Sequence, residues 1–115
     1  MAADKGLLFG STTMLILRLL EEKDMYGYQM IEELSKKSDD TFNLKAGTLY
    51  PILHGLENED LVSSYDDSAD SARVRKYYHL TGKGKGQLAQ KHAEWKAYAK
   101  AVNKVLRGGE SYAIV

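Results

Sequence analysis

Apolar residues recur along the chain with two different periods, and the change of period marks its elements. From Gly6 to Glu22, Leu7, Leu8, Met14, Leu15, Leu17, Leu19 and Leu20 form a broad stripe at helical spacing, with Ser11 as a cap or an internal polar position. Asp24-Met25-Tyr26-Gly27 interrupts the stripe. It resumes from Tyr28 to Lys37, where Met30, Ile31 and Leu34 share one face and Glu32, Glu33 and Lys36 the other, predicting a short second helix. Polar Ser38 to Thr41 separates this helix from Ala46 to Leu61, where Leu49, Ile52, Leu53 and Leu56 fall at i, i+3, i+4 and i+7. Pro51 has no N–H and is tolerated in about the first turn of a helix, so the third helix is expected to start near Lys45 or Ala46.

Val62 to Tyr65 and Arg73 to Leu80 follow the other period. The second stretch is rich in β-formers, with Val74, Tyr78 and Leu80 in step at two-residue spacing, and turn-forming residues from Asp66 to Ala72 join the two. A hairpin is the economical reading, and an isolated pair of strands is marginal in water, so it must lean on the helices. From Thr81, a natural cap, a long helix is expected to run to about Arg107, where Gly108-Gly109 stops it and leaves 108–115 as a flexible tail. Leu88, His92, Trp95, Ala99, Val102 and Leu106 alternate on it at spacings of four and three, the heptad seam by which a helix packs along a partner. Two short helices across a tight polar turn are the parts of a helix-turn-helix. The predicted fold class is therefore mainly α (α+β): a winged helix-turn-helix with a two-stranded wing over residues 1–80, and a long C-terminal dimerisation helix over 81–107, in one compact domain.

Composition narrows the functional classes. A chain of 115 residues builds one modest core, and 43% hydrophobic with 28% charged residues is the balance of a folded soluble protein. No cysteine is present, which excludes disulfides, thiolate chemistry and cysteine-ligated metals. The longest apolar run, Met14 to Leu17, falls far short of a membrane span, and Met1 to Gly10 has no signal-peptide pattern, so a cytoplasmic protein with no membrane partner is expected. His54, His79 and His92 are scattered, no carboxylate pair stands at a catalytic separation and no metal-ligand cluster emerges; no enzyme, metal or cofactor is expected. Gly82-Lys83-Gly84-Lys85-Gly86 lacks both the spacing and the strand context of a phosphate-binding loop. A net charge of +0 means that any DNA-binding face must be locally basic, and the acidic clusters at Asp39–Asp40, Glu57–Asp60 and Asp66, Asp67, Asp70 are expected to lie away from it.

Four motifs stand in order: Tyr26-Gly27-Tyr28 opening the second helix, Gly47-Thr48-Leu49-Tyr50-Pro51 opening the third, Leu56-Glu57 closing it, and Arg75-Lys76-Tyr77-Tyr78-His79-Leu80-Thr81 in the hairpin. Together they closely resemble the PadR family of transcriptional regulators, over roughly Leu7 to Leu106. The resemblance implies a homodimer that binds palindromic operators in double-stranded DNA, represses, and is released by small phenolic or planar hydrophobic compounds. The single terminal helix is similar to the short subfamily that includes multidrug-sensing repressors. Two positions depart from the pattern. Lys45 stands where a capping Ser or Asn is commoner, and Asp60 where the turn into the wing usually has Gly, a place that Asp tolerates better than most residues.

With that resemblance the candidate contacts follow. Near the N-terminal half of the third helix, Thr48 and His54 suit base edges, while Lys45 and Tyr50 suit phosphate oxygens; the bland alternative is a solvated helix face. Tyr28 is expected near the DNA backbone and Tyr26 to be structural; Lys37 would add a backbone contact, or is simply a charged helix end. Arg73, Arg75 and Lys76 form the densest basic patch and would contact DNA from the strand rather than from the acidic tip. Trp95 either fills a dimer core with Leu7, Leu88, His92, Ala99, Val102 and Leu106, or lines a slot for a flat ligand with Leu8, Thr12, Lys91 and Ala99. A winged-helix protein-interaction module that never touches DNA is the rival reading, favoured by the zero net charge.

Overall fold

In a computed structural model, which describes residues 5–68 and 73–114, with side-chain surroundings from 11 to 68 and from 73 to 107, the periodic stretches become four helices and three strands. They are α1 (Lys5–Glu22), β1 (Met25–Tyr26), α2 (Gly27–Lys37), α3 (Ala46–Asn58), β2 (Val62–Asp67), β3 (Arg75–Leu80) and α4 (Gly82–Ile114). Ile16, Leu17, Leu19 and Leu20 of α1, Met30 and Leu34 of α2, and Leu49, Leu53 and Leu56 of α3 meet in one core, each no more than 5% exposed. The sheet caps that core with Met25, Val62, Tyr78 and Leu80. Alternate residues of β3 therefore point opposite ways: Tyr78 and Leu80 inward, Tyr77 and His79 outward.

The wing has one strand more than the sequence pattern predicts. Met25 and Tyr26 pair antiparallel with Tyr78 and Tyr77, giving a sheet of order β1-β3-β2. A two-residue strand has no period to read, so it passes for a break between helices. Val74 is a second correction: it lies ahead of β3 and is 62% exposed, so it takes no place in the inward row with Tyr78 and Leu80.

Local chemistry sets the joints. α3 begins at Ala46 with Lys45 as its N-cap residue, as expected, although no side chain caps it and Pro51 sits in its second turn. It ends at Asn58 because Asp60 turns left-handed (φ 60). The Asp60 N–H then donates to Glu57 O and the Leu61 N–H to Leu56 O, the paired bonds of a Schellman stop, with Leu56 and Leu61 both buried beneath it. Thr81 caps α4, its hydroxyl accepting from the Gly84 N–H at 2.9 Å and donating to Asp60 O at 2.7 Å. Lys83 Nζ donates to Glu59 O, and a Cβ on Gly84 would overlap the Leu61 carbonyl oxygen, so the start of α4 is knotted onto the end of α3.

α4 continues to Ile114, past the Gly108-Gly109 pair where the sequence reading stops it. Two helical glycines cost about 1 kcal/mol each and weaken a helix without ending it. Among the residues of α4 whose surroundings are described, up to Arg107, Leu88 is the last buried one, and beyond it Trp95, Tyr98, Val102, Val105 and Leu106 are exposed on the single chain. No described helix is long and apolar enough to cross a membrane.

Candidate nucleic-acid interface

The buried residues of α3, Leu49, Leu53 and Leu56, turn the opposite face outward, and Lys45, Gly47, Pro51, His54 and Asn58 lie exposed along it. Thr48 is half-buried beside them. Gly47 and Gly55 have open space where a Cβ would stand. This face is therefore low and smooth at its start, with His54 as its one protruding polar side chain in the middle. Gly47, read from sequence only as part of a motif, is not among the expected contacts, yet its lack of a side chain leaves this backbone open to the approach of another surface.

Tyr50 is the exception on this helix. It is half-buried, and its ring lies over Gly27 so closely that a Cβ there would overlap the phenol oxygen. The bare backbone of Gly27 thus seats Tyr50 at the N-terminus of α2. Beside it, a groove of about 400 Å³ opens between α2 and the wing. Tyr28, Tyr50, Arg73, Arg75 and Lys76 line it, together with Tyr26 and Glu32. Five of the nine predicted DNA contacts are thereby brought together from three separate parts of the chain. Tyr28 is 63% exposed, whereas Tyr26 packs against Tyr77. Lys37 is not among them: at the far end of α2 it pairs with Glu22 at 3.2 Å.

The wing is less one-sidedly basic than its sequence suggests. Antiparallel register sets Asp67 opposite Arg75 and Asp66 opposite Lys76, so these acids face the bases rather than lying apart from them; Asp70 is outside the described residues. Arg75 and Lys76 point to opposite faces of β3, Arg75 lying 4.5 Å over the Tyr26 ring and Lys76 5.9 Å from that of Tyr78.

The outer face of the sheet carries a polar cluster that the sequence gives no period to find. Asp24, in the link between α1 and β1, accepts from the Tyr65 hydroxyl at 2.6 Å and bonds His79 Nδ1 at 2.8 Å. Partial burial raises the Asp24 carboxyl pKa, but the hydrogen bonds from Tyr65 and His79 and the nearby His79 charge outweigh it, holding the group below its ordinary 3.8. The same bond to Asp24, with lesser contributions from desolvation and neighbouring charge, pushes the Tyr65 phenol up to about 12. Tyr65, Tyr77 and Tyr26 stand side by side across the three strands.

Residues 16–90 match the model of the transcriptional regulator PadR-like family, a span running from the core of α1 through the wing into α4. The chain belongs to that family. A PadR family transcription regulator from Clostridium difficile shares its fold with a TM-score of 0.73 at 36% identity, over 84% of this chain and 98% of that one. A transcriptional regulator from Clostridium thermocellum superposes with a TM-score of 0.80 at 32% identity, over 87% and 97% of the two chains. In sequence, transcriptional regulator Rv3488 of Mycobacterium tuberculosis is 31% identical over 97 residues, covering 84% of this chain and 83% of the relative. The protein is thus a PadR-like transcriptional regulator with a winged-helix head, and not an enzyme.

A second hollow of this PadR-like chain, about 480 Å³, lies between α1 and α4. Met14, Leu15, Leu88, Ala89 and Trp95 give it apolar walls, with Arg18, Glu21, Lys85 and His92 around them. Of the residues grouped with Trp95 from sequence, Thr12 is buried at 2% exposure and Lys91 lines a separate hollow towards α3. The 100° turn per residue explains the latter, since it sets Lys91 on one flank of Trp95 and Ala89 and His92 on the other. Ala99 lies one turn further along α4. The side chains of Leu7 and Leu8 are outside those described.

Proposed function

We propose that the protein is a cytoplasmic homodimeric repressor that reads a palindromic operator with α3 in the major groove and sets the wing against the adjacent backbone. The observation that carries this reading is the convergence of Tyr28, Tyr50, Arg73, Arg75 and Lys76 on one groove beside the exposed face of α3. In it Thr48 and His54 meet base edges, Lys45, Tyr28 and Tyr50 hold phosphates, and the two arginines and Lys76 supply the local positive charge that a net charge of +0 requires. The exposed row on α4, with Trp95 at 43% and Leu106 at 60%, supports a seam with a second copy through residues 81–107. The hollow beside Trp95 supports release by a small planar or phenolic hydrophobic compound.

A salt titration of duplex binding tests the reading. Neutralising roughly six phosphates per dimer predicts a loss of about 10³ in affinity between 50 and 200 mM salt. Exposed Asp66 and half-buried Asp67, set opposite the wing bases, favour the rival, a protein-interaction module. Failure to retain any duplex at low salt would decide for it.

A further inference from the structure

We propose that Asp24 is a positioning residue for the wing: its carboxylate ties β2 and β3 to the helical head and fixes the row of tyrosines that ends beneath Arg75. This inference rests on the DNA-binding reading above, since Arg75 is placed there as a contact.

The geometry runs in one line. The two Asp24 oxygens are divided between strands, Oδ2 accepting from Tyr65 of β2 and Oδ1 bonding His79 of β3, at sequence separations of 41 and 55. One short side chain in the α1–β1 link thus holds two strands at two points, which restrains sliding and rotation together. The anchored Tyr65 ring stacks on Tyr77 at 5.7 Å and 14°. Tyr77 meets Tyr26 edge-on at 5.5 Å and 80°. The Arg75 guanidinium lies 4.5 Å over Tyr26. Cross-strand pairs of this kind are the units that hold a sheet in register, and β1 offers only two residues of pairing to do so by itself. Arg75 is long and flexible, and an aromatic face beneath it limits the positions its planar fork takes up.

Charge and position predict opposite signs, which makes the role testable. Asp24 is an acid bonded to the outer face of the sheet that carries Arg75, so by charge alone its removal tightens binding to any polyanion. By position, its removal loosens binding to the chosen site. The probes are a duplex of about 30 base pairs, three turns of DNA, selected by the wild-type protein from a random pool, and the unselected pool itself. Asp24→Asn should weaken binding to the selected duplex about 10-fold while leaving the pool bound as well as before or better. Tyr65→Phe, which removes one hydroxyl, should act in the same direction, and the double variant should be no worse than the worse single variant, because both act on one shared bond, the amide by taking away its charge and Phe by taking away its donor. Amide exchange across β2 and β3 should quicken in both variants with α3 unchanged. Wild-type affinity of Asp24→Asn for the selected duplex, additive losses in the double variant, or unchanged exchange in the wing each overturns the proposal. If the wild-type protein binds no duplex at low salt, the DNA-binding reading falls instead, and the exchange rates alone still decide whether Asp24 holds the wing.

Discussion

Asp60 holds its backbone at φ 60, where an L side chain crowds the following carbonyl and only Gly is at ease. Asp60→Gly should therefore raise stability by about 0.5–1 kcal/mol, read as a higher midpoint of denaturant unfolding. The two packed glycines should respond differently from each other. At Gly84 the obstacle to a Cβ is the Leu61 backbone, which cannot move without loosening the knot between α3 and α4, so Gly84→Ala should cost about 2 kcal/mol or more. At Gly27 the obstacle is the tip of Tyr50, which can swing aside. Gly27→Ala should leave the unfolding midpoint nearly unchanged and weaken duplex binding in a gel-shift titration, because Tyr50 leaves the groove.

At the scale of elements, the strands depend on titrating groups. The folded Asp24 carboxyl lies below 3.8, so its contribution is present above pH 3.8 and is lost as the pH falls further. The Tyr65 phenol is raised from 10 to about 12, so its contribution is present below pH 10 and fades as the pH rises through 12. Asp24→Asn should lower the Tyr65 ionisation from about 12 toward 10, measured by the carbon shifts of labelled tyrosine. The helices were legible in the sequence because burial imposes a period on ten or more residues at once, as in Leu49, Ile52, Leu53 and Leu56 of α3. β1 was not, since Met25 and Tyr26 are too few to show a period and their pairing partner lies some fifty positions away. The candidate interface, as the groove between α2 and the wing, was legible in part. Arg75 and Lys76 announce themselves by charge, and Tyr28 and Tyr50 through two of the four motifs. The Asp24 cluster joins residues far apart in the chain, and only the folded register reveals it.

The whole molecule measures 64 × 30 × 21 Å, its length set by α4 projecting from a compact head. At this scale the acids opposite the wing bases matter as a brake on attraction to polyanions. Asp66→Asn with Asp67→Asn should tighten binding to unselected duplex by roughly 3- to 10-fold at low salt and erode discrimination between selected and random DNA, since a uniform gain in attraction reads no bases. The knot of Thr81, Lys83 and Gly84 against residues 59–61 sets a different property, because it restrains the angle at which α4 starts from the head. A rod of 33 residues is about 50 Å long, so a tilt of about 5° swings its end by about 4 Å, a little more than one base-pair step. Such a lever arm converts a small change of angle at one end into a missed register at the other.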